Sequence, residues 1–309
     1  MVHHFNASAF EAQCNEVLTS LANPRTRVMY KTAMEQFLNW WQRKGGNLPL
    51  ERSLVEAYIS VLTHSGYSEA TANQRLSAIK KLVSHAADAG TMHLSIARDI
   101  LRISGFSKRI PESGRFLTTT QAEALINAPY ASGAKGARDR ALLALLLGCA
   151  LRSGEAVKIQ FNEIQRQGSD WVLTNVVGSR GNVRTVLIPH WAKKALDAWI
   201  EISQIRNGAV FRAVDRSGNI ADRPISPHSI LPLVSEYGKL VGIEVKPRDL
   251  RRTCAQLCRN GGGELEQIQL LLDHASIQTT ERFLGRKQTA LSAPNGRLQM
   301  RWYDHERAS

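Results

Sequence analysis

Three short segments, far apart in the chain, set arginine or histidine into helical patterns that are otherwise apolar. The first is Cys149-Ala150-Leu151-Arg152-Ser153-Gly154-Glu155-Ala156-Val157, directly after the apolar run Ala141 to Leu147. The second is Pro247-Arg248-Asp249-Leu250-Arg251-Arg252-Thr253-Cys254-Ala255, and the third is Leu272-Asp273-His274-Ala275-Ser276. Charge withdrawn from water is costly unless a partner is supplied. Any fold of this chain must therefore provide one for each segment. An outside phosphate is one candidate, because the guanidinium fork matches its oxygens. An internal ion pair is the other, and for a single such arginine it is the commoner outcome.

The pattern around these segments divides the chain. Residues 1–103 read as a helical domain. Thr26 to Lys44 carries Val28, Met29, Ala33, Phe37, Leu38, Trp40 and Trp41 near a 3.6-residue period, and Leu54 to Leu62 and Ala70 to Ala87 repeat it. Thr71 lies in the expected cap region of the last of these, with Arg75, Lys80 and Lys81 on its polar side. Residues 104–116, rich in Gly, Ser and Pro and holding Lys108 and Arg109, read as a linker. Residues 117–290 read as a second domain and 291–309 as a tail. In the second domain Thr118 to Gln121 offers a cap, and Ala137 to Leu147 predicts a helix buried nearly all round. Trp171 to Val177 and Val183 to Pro189, β-branched runs around Gly178-Ser179-Arg180-Gly181-Asn182, predict a hairpin. Gly208 to Arg223 allows another. The fold class expected is mainly α with a small β-hairpin or sheet.

Charge narrows the partner. The 309 residues hold 40 Lys and Arg against 27 Asp and Glu, a formal +13. Both parts are positive: 13 basic against 8 acidic residues through position 110, and 27 against 19 after it. This suits a polyanion, nucleic acid ahead of a membrane surface. Arg75, Lys80, Lys81, Lys108, Arg109, Arg184 and Arg252 are the candidate DNA contacts. The longest apolar run is far below the roughly 20 residues of a membrane span. Cys14, Cys149, Cys254 and Cys258 are scattered through helical patterns without zinc spacing, so core packing in a reducing cytoplasm is expected. No metal site and no cofactor are expected.

Taken in order, the segments are specific: an arginine box, a hairpin, the Arg248-Asp249-Leu250-Arg251 box, then His274 nine residues before the aromatic Phe283. This order resembles the catalytic domain of the tyrosine recombinases, or phage integrases, over roughly residues 115–290. The preceding helices resemble that family's core-binding domain. The ending Thr279-Thr280-Glu281-Arg282-Phe283-Leu284-Gly285 looks closest to phage-type integrases. The resemblance implies a two-domain C-shaped clamp on double-stranded DNA, a homo- or hetero-tetrameric synapse, and a bacterial or phage-encoded protein. It implies metal-independent strand breaking and rejoining, in which a tyrosine oxygen attacks a phosphodiester and two arginines and a histidine hold the phosphate. By this resemblance Arg152, Arg251 and His274 form the phosphate cradle, with Glu155 after the first arginine.

Four positions depart from the family pattern. Arg248 stands where histidine is usual, Asp273 where glycine is usual, and Phe283 where the nucleophilic tyrosine is usual. The hairpin lysine aligns with Ser179, its nearest cation being Arg180, which is a poor proton donor at a pKa above about 12. Phenylalanine has no attacking oxygen, so the chain is expected to bind DNA without cutting it in cis. Tyr237 and Tyr303 are the other tyrosines considered, and neither is placed to substitute. The alternatives left open are a partner-assisted recombinase, a non-catalytic DNA-binding subunit or regulator, an engineered Tyr-to-Phe trap, and an unrelated helix-turn-helix regulator. The tail, with Arg301, Trp302, Tyr303 and Arg307, reads either as an arm reaching a neighbour or as a frayed end.

Overall fold

Aromatic residues at helical spacing organise the first unit. A computed structural model describes residues 5–45, 48–106, 116–129, 133–178 and 181–285. The chain divides into two units, residues 1–109 and 110–309. The first contains helices α1 (Ala7–Ser20), α2 (Pro24–Arg43), α3 (Arg52–His64), α4 (Glu69–Asp88) and α5 (Leu94–Leu101). Phe10, Phe37, Trp41 and Tyr58 meet at its centre, with Phe10–Phe37 ring centroids 5.3 Å apart and Phe37–Tyr58 5.0 Å apart. Asn23 caps α2, whose first residue is Pro24, where the missing N–H costs nothing. Ser68, three residues before the expected Thr71, caps α4 by accepting from the Thr71 N–H at 3.2 Å. Asn73 holds the end of the unit through paired bonds to the Phe106 backbone, at 2.8 and 2.9 Å.

The second unit is built on a helix that is apolar on every side. Thr118 and Gln121 make the reciprocal cap of α6 (Thr119–Asn127). In α7 (Ala134–Gly148) every residue from Ala141 to Leu147 is buried. Full burial of each leucine there contributes about 1.5–3 kcal/mol. A one-turn helix, α8 (Ser153–Ala156), follows. Then come strands β1 (Ile164–Gln167), β2 (Asp170–Val177) and β3 (Val183–Ile188), antiparallel in the order β1-β2-β3. The hairpin register pairs Val172 with Leu187 and Leu173 with Val186, and a bulge follows around Asn175, whose φ is +56°. Strand β1 was not expected, because only Ile164 of its four residues is even half-buried.

Helix α9 (His190–Ser203) packs on α7. The allowed second hairpin exists as β4 (Arg212–Val214) and β5 (Ile220–Pro224). Helices α10 (Ile230–Leu240), α11 (Pro247–Asn260), α12 (Leu265–Leu272) and α13 (Ile277–Leu284) complete the unit. The fold is thus mainly α with small antiparallel sheets. Among the described residues no helix is long and apolar enough to cross a membrane.

Candidate functional site

The end of α7 begins the site. Ala150 adopts φ +51°, a left-handed turn that redirects the chain so that Arg152 caps α8. Glu155, one turn on, accepts from the Arg152 backbone N–H at 2.8 Å and from its Nη1 at 2.6 Å. Arg184 on β3 faces the same carboxylate and donates Nη1 and Nη2 to it at 3.2 and 2.9 Å. Arg251 on α11 lies 3.8 Å from Glu155 and donates to the carbonyls of Ala150 and Leu272. One buried carboxylate therefore holds three guanidinium groups from three separate stretches of chain.

The C-terminal end of α12 supplies the opposite wall. Its last carbonyls have no partners within the helix and carry the negative end of the dipole. They accept from the arginines: Leu271 from Arg184 Nε at 3.0 Å, and Leu272 and Asp273 from Arg152 Nη2 at 3.1 and 3.2 Å. Asp273 then turns with φ +47°. That conformation explains the glycine usual here, since it suits glycine best and aspartate better than most other residues. The carboxylate of Asp273 lies 3.1 Å from Arg152 Nη1 and accepts from Asn182 Nδ2 at 3.0 Å.

Electrostatics follow from this packing. Burial pushes the Glu155 carboxyl upward, but Arg184 and Arg152 outweigh it and hold the group below its ordinary value. At Asp273 burial again acts upward, and Asn182 with Arg152 prevails in the same way. Burial, then the neighbouring Arg152 charge, weakens the hold of Arg251 on its proton, while Glu155 opposes them. Three guanidinium groups face two carboxylates, a formal remainder of +1.

His274 and Phe283 lie next along the chain. His274 Nδ1 is 3.1 Å from Thr280 Oγ1, and its ring meets that of Phe283 edge-on at 5.1 Å. Phe283 is 7% exposed. The guanidinium carbons of Arg252 and Arg248 lie 4.9 and 5.7 Å from its ring centroid, and Arg252 Nε donates to its carbonyl at 2.7 Å. The aromatic position is thus ringed by two cations and a histidine.

The structure brings Arg152, Arg251 and Asp273 into one cluster, and sets His274 and Arg248 each against the ring of Phe283. It corrects several expected surface contacts. Arg75 is not on a polar face: it is 9% exposed, reaches the Tyr58 hydroxyl at 3.4 Å and lies over the Tyr67 ring at 4.3 Å. Its guanidinium completes an aromatic pocket that a period count from α4 alone does not reveal. Lys80 turns inward to the carbonyls of Leu101 and Ile103 at 2.7 and 2.6 Å, capping the end of α5. Lys81 is exposed as expected. Arg184 and Arg252 are held by Glu155 and Phe283 instead of standing free at the surface. Ser179, Arg180, Lys108, Arg109 and the tail lie outside the described residues. Tyr237 donates its hydroxyl to buried Asp139 at 3.0 Å, and burial, then the Asp139 charge, raises its pKa.

Arg184 was expected only as a DNA contact; its pairing with Glu155, and the bond from Asn182 to Asp273, escaped sequence reading. The available signal was a charged residue in a strand whose neighbours alternate between core and solvent.

Comparison with known proteins points one way. Residues 115–288 match the model of the phage integrase family, and residues 18–90 match that of the phage integrase N-terminal SAM-like domain. The chain is 27% identical over 257 residues to tyrosine recombinase XerC of Thermodesulfovibrio yellowstonii, covering 82% of each protein. It is 28% identical over 264 residues to tyrosine recombinase XerD of Xanthomonas campestris pv. campestris, covering 82% of this chain and 79% of that one. In fold it is similar to the XerH site-specific recombinase bound to palindromic difH substrate, with TM-score 0.71, 18% identity, and 90% and 81% of the two chains covered. It is likewise similar to a lambda integrase dimer bound to a COC′ core site, with TM-score 0.69, 17% identity, and 92% and 98% covered.

Proposed function

The chain belongs to the phage integrase family, the tyrosine recombinases of site-specific DNA recombination, and from that premise we propose that it grips duplex DNA without cutting it. Arg152 and Arg251 hold the phosphate, because planar forks that stay charged suit its non-bridging oxygens. His274 adds a donor. Phe283 occupies the position from which the family's tyrosine attacks.

The observation that carries this reading is the contact of the His274 and Phe283 rings at 5.1 Å, with Arg252 and Arg248 against the same phenyl ring. Two guanidinium groups, which favour a phenolate over a phenol, stand against a side chain with nothing to ionise. Arg248 deepens the block. It neither accepts a proton at working pH, as a histidine would, nor releases one.

Arg248, Asp273 and Phe283 depart from the family pattern within one neighbourhood, since Arg248 packs on Phe283 and Asp273 precedes the histidine that touches it. That grouping favours a specialised DNA-binding member over an enzyme with one substituted residue. Both units carry positive charge and both are assigned to the DNA. In a tetramer a second kind of subunit would have to supply the tyrosine.

The test uses a duplex selected by this chain from a random pool, then nicked to trap a cleavage product. The expected result is salt-sensitive binding with no covalent protein–DNA adduct. An adduct formed by this chain alone overturns the proposal. Phe283→Tyr is expected to restore little cleavage, because Arg248 remains.

A further inference from the structure

We propose that Asp273 is an internal anion that occupies the phosphate-facing side of Arg152 and is itself held by Asn182 immediately before β3, so that DNA must displace this carboxylate to reach the cradle. The inference rests on the reading of Arg152 as a phosphate ligand.

The backbone at 273 favours glycine, with φ +47°, yet the position holds a carboxylate with only 6% of its side chain exposed. That carboxylate joins segments far apart in sequence. One oxygen is on Arg152 Nη1 at 3.1 Å, and the other accepts from Asn182 in the hairpin turn at 3.0 Å. Gly178, at the other end of the turn, leaves room for it: a Cβ built there would fall 2.0 Å from Asp273 Oδ2.

Arg152 is the most accessible of the three clustered arginines, with 30% of its side chain exposed against 11% for Arg184 and 5% for Arg251. An arriving phosphate meets it first. Its terminal nitrogens are already committed, Nη1 to Glu155 and Asp273 and Nη2 to the carbonyls of Leu272 and Asp273. Glu155 is buried and also grips Arg184, and the two carbonyls belong to the end of a helix. The Asp273 carboxylate alone among these partners is a side chain that rotates aside without unfolding an element. Carboxylate and phosphate offer a guanidinium the same pair of oxygens, so one replaces the other. Displacement changes the formal charge of the cluster from +1 to +2, which draws a polyanion closer.

The experiment compares the full chain with Asp273→Asn and Asp273→Gly. Asparagine keeps the shape and tolerates the left-handed backbone, while glycine removes the side chain. Inorganic phosphate is titrated against matched chloride, reading the thermal midpoint. Random-sequence duplex DNA is then titrated across a salt series. The expected result is a phosphate-dependent rise in both variants that the native chain lacks and that Arg152→Gln abolishes. For DNA, binding at fixed salt is expected to tighten severalfold in both variants with the salt slope unchanged, because the phosphate contact is the same and the Arg152–Asp273 pair no longer has to be broken to make it.

Phosphate response and DNA affinity equal to the native values in both folded variants overturn the proposal. So does a gain in Asp273→Gly without one in Asp273→Asn, which would assign the effect to backbone freedom. If the native chain bound no duplex, the functional reading would fail separately, and the phosphate titration would still decide the role of Asp273.

Discussion

Replacing Glu155 by glutamine tests the centre of the site. The carboxylate is 7% exposed and accepts from four N–H groups: the Arg152 backbone, Arg152 Nη1 and both terminal nitrogens of Arg184. Arg251 stands 3.8 Å away. Glutamine preserves volume, but it removes the charge and turns an amide NH₂ toward a guanidinium. Three cations would then face Asp273 alone. Removing one partner of a buried ion pair costs about 3–5 kcal/mol, because the other charge stays buried and uncompensated. For a domain of this size a change of 1 kcal/mol moves the melting midpoint by roughly 2–4 °C, so a fall of about 6–20 °C is expected. Calorimetry of the full chain reads it against the native protein. Adding Arg184→Met should recover part of the loss, since the pair is then replaced by neutral side chains. A fall equivalent to under about 1 kcal/mol, or no recovery in the double variant, would refute the picture of a buried carboxylate organising the arginines.

Three further outcomes follow from the same geometry. Glu155 and Asp273 have carboxyls held below their ordinary values, so they stabilise the fold above the unfolded-state values and lose that contribution as pH falls through the folded-state ones. Denaturant midpoints should therefore drop steeply below about pH 4, and Glu155→Gln should flatten that drop. Gly178→Ala should cost about 1–3 kcal/mol by driving a methyl into the Asp273 carboxylate. The added Asp273→Gly should return most of it in a melting assay, and an unrelieved loss would place the clash elsewhere. Cys258 should be alkylated first at pH 8, because its hydrogen bond from Cys254 lowers its pKa, while burial pushes Cys149 up to about 12. Peptide mapping after limiting iodoacetamide checks the order.

Much of the fold was legible because its signals are local. The β-branched runs around a glycine-bounded turn became β2 and β3, and the apolar run after Ala137 became a helix buried on all sides. Strand β1 was not legible, since its side chains are mostly exposed and its pairing is decided by β2. The surface reading failed at Arg75, and half-exposed Lys80 is tied to backbone carbonyls, for a related reason. A period count places a residue on one helix, but the aromatic pocket and the carbonyls that draw these cations inward come from α3, the turn before α4, and the end of α5.

The site divides in the same way. Sequence alone determined that arginine and histidine boxes sit in apolar helices, that an aromatic lies nine residues after the histidine, and that this aromatic lacks a hydroxyl. Those are matters of residue identity and spacing, and no packing alters them. Tertiary structure decided which charge neutralises which. Arg184, read from sequence as a DNA contact, shares Glu155 with Arg152 and Arg251. Asp273, read as a departure from glycine, joins Arg152 to the hairpin turn through Asn182. Such pairings join residues 29 to 121 positions apart. The free energy that selects them, the cost of leaving a charge buried alone, exists only once the fold has excluded water.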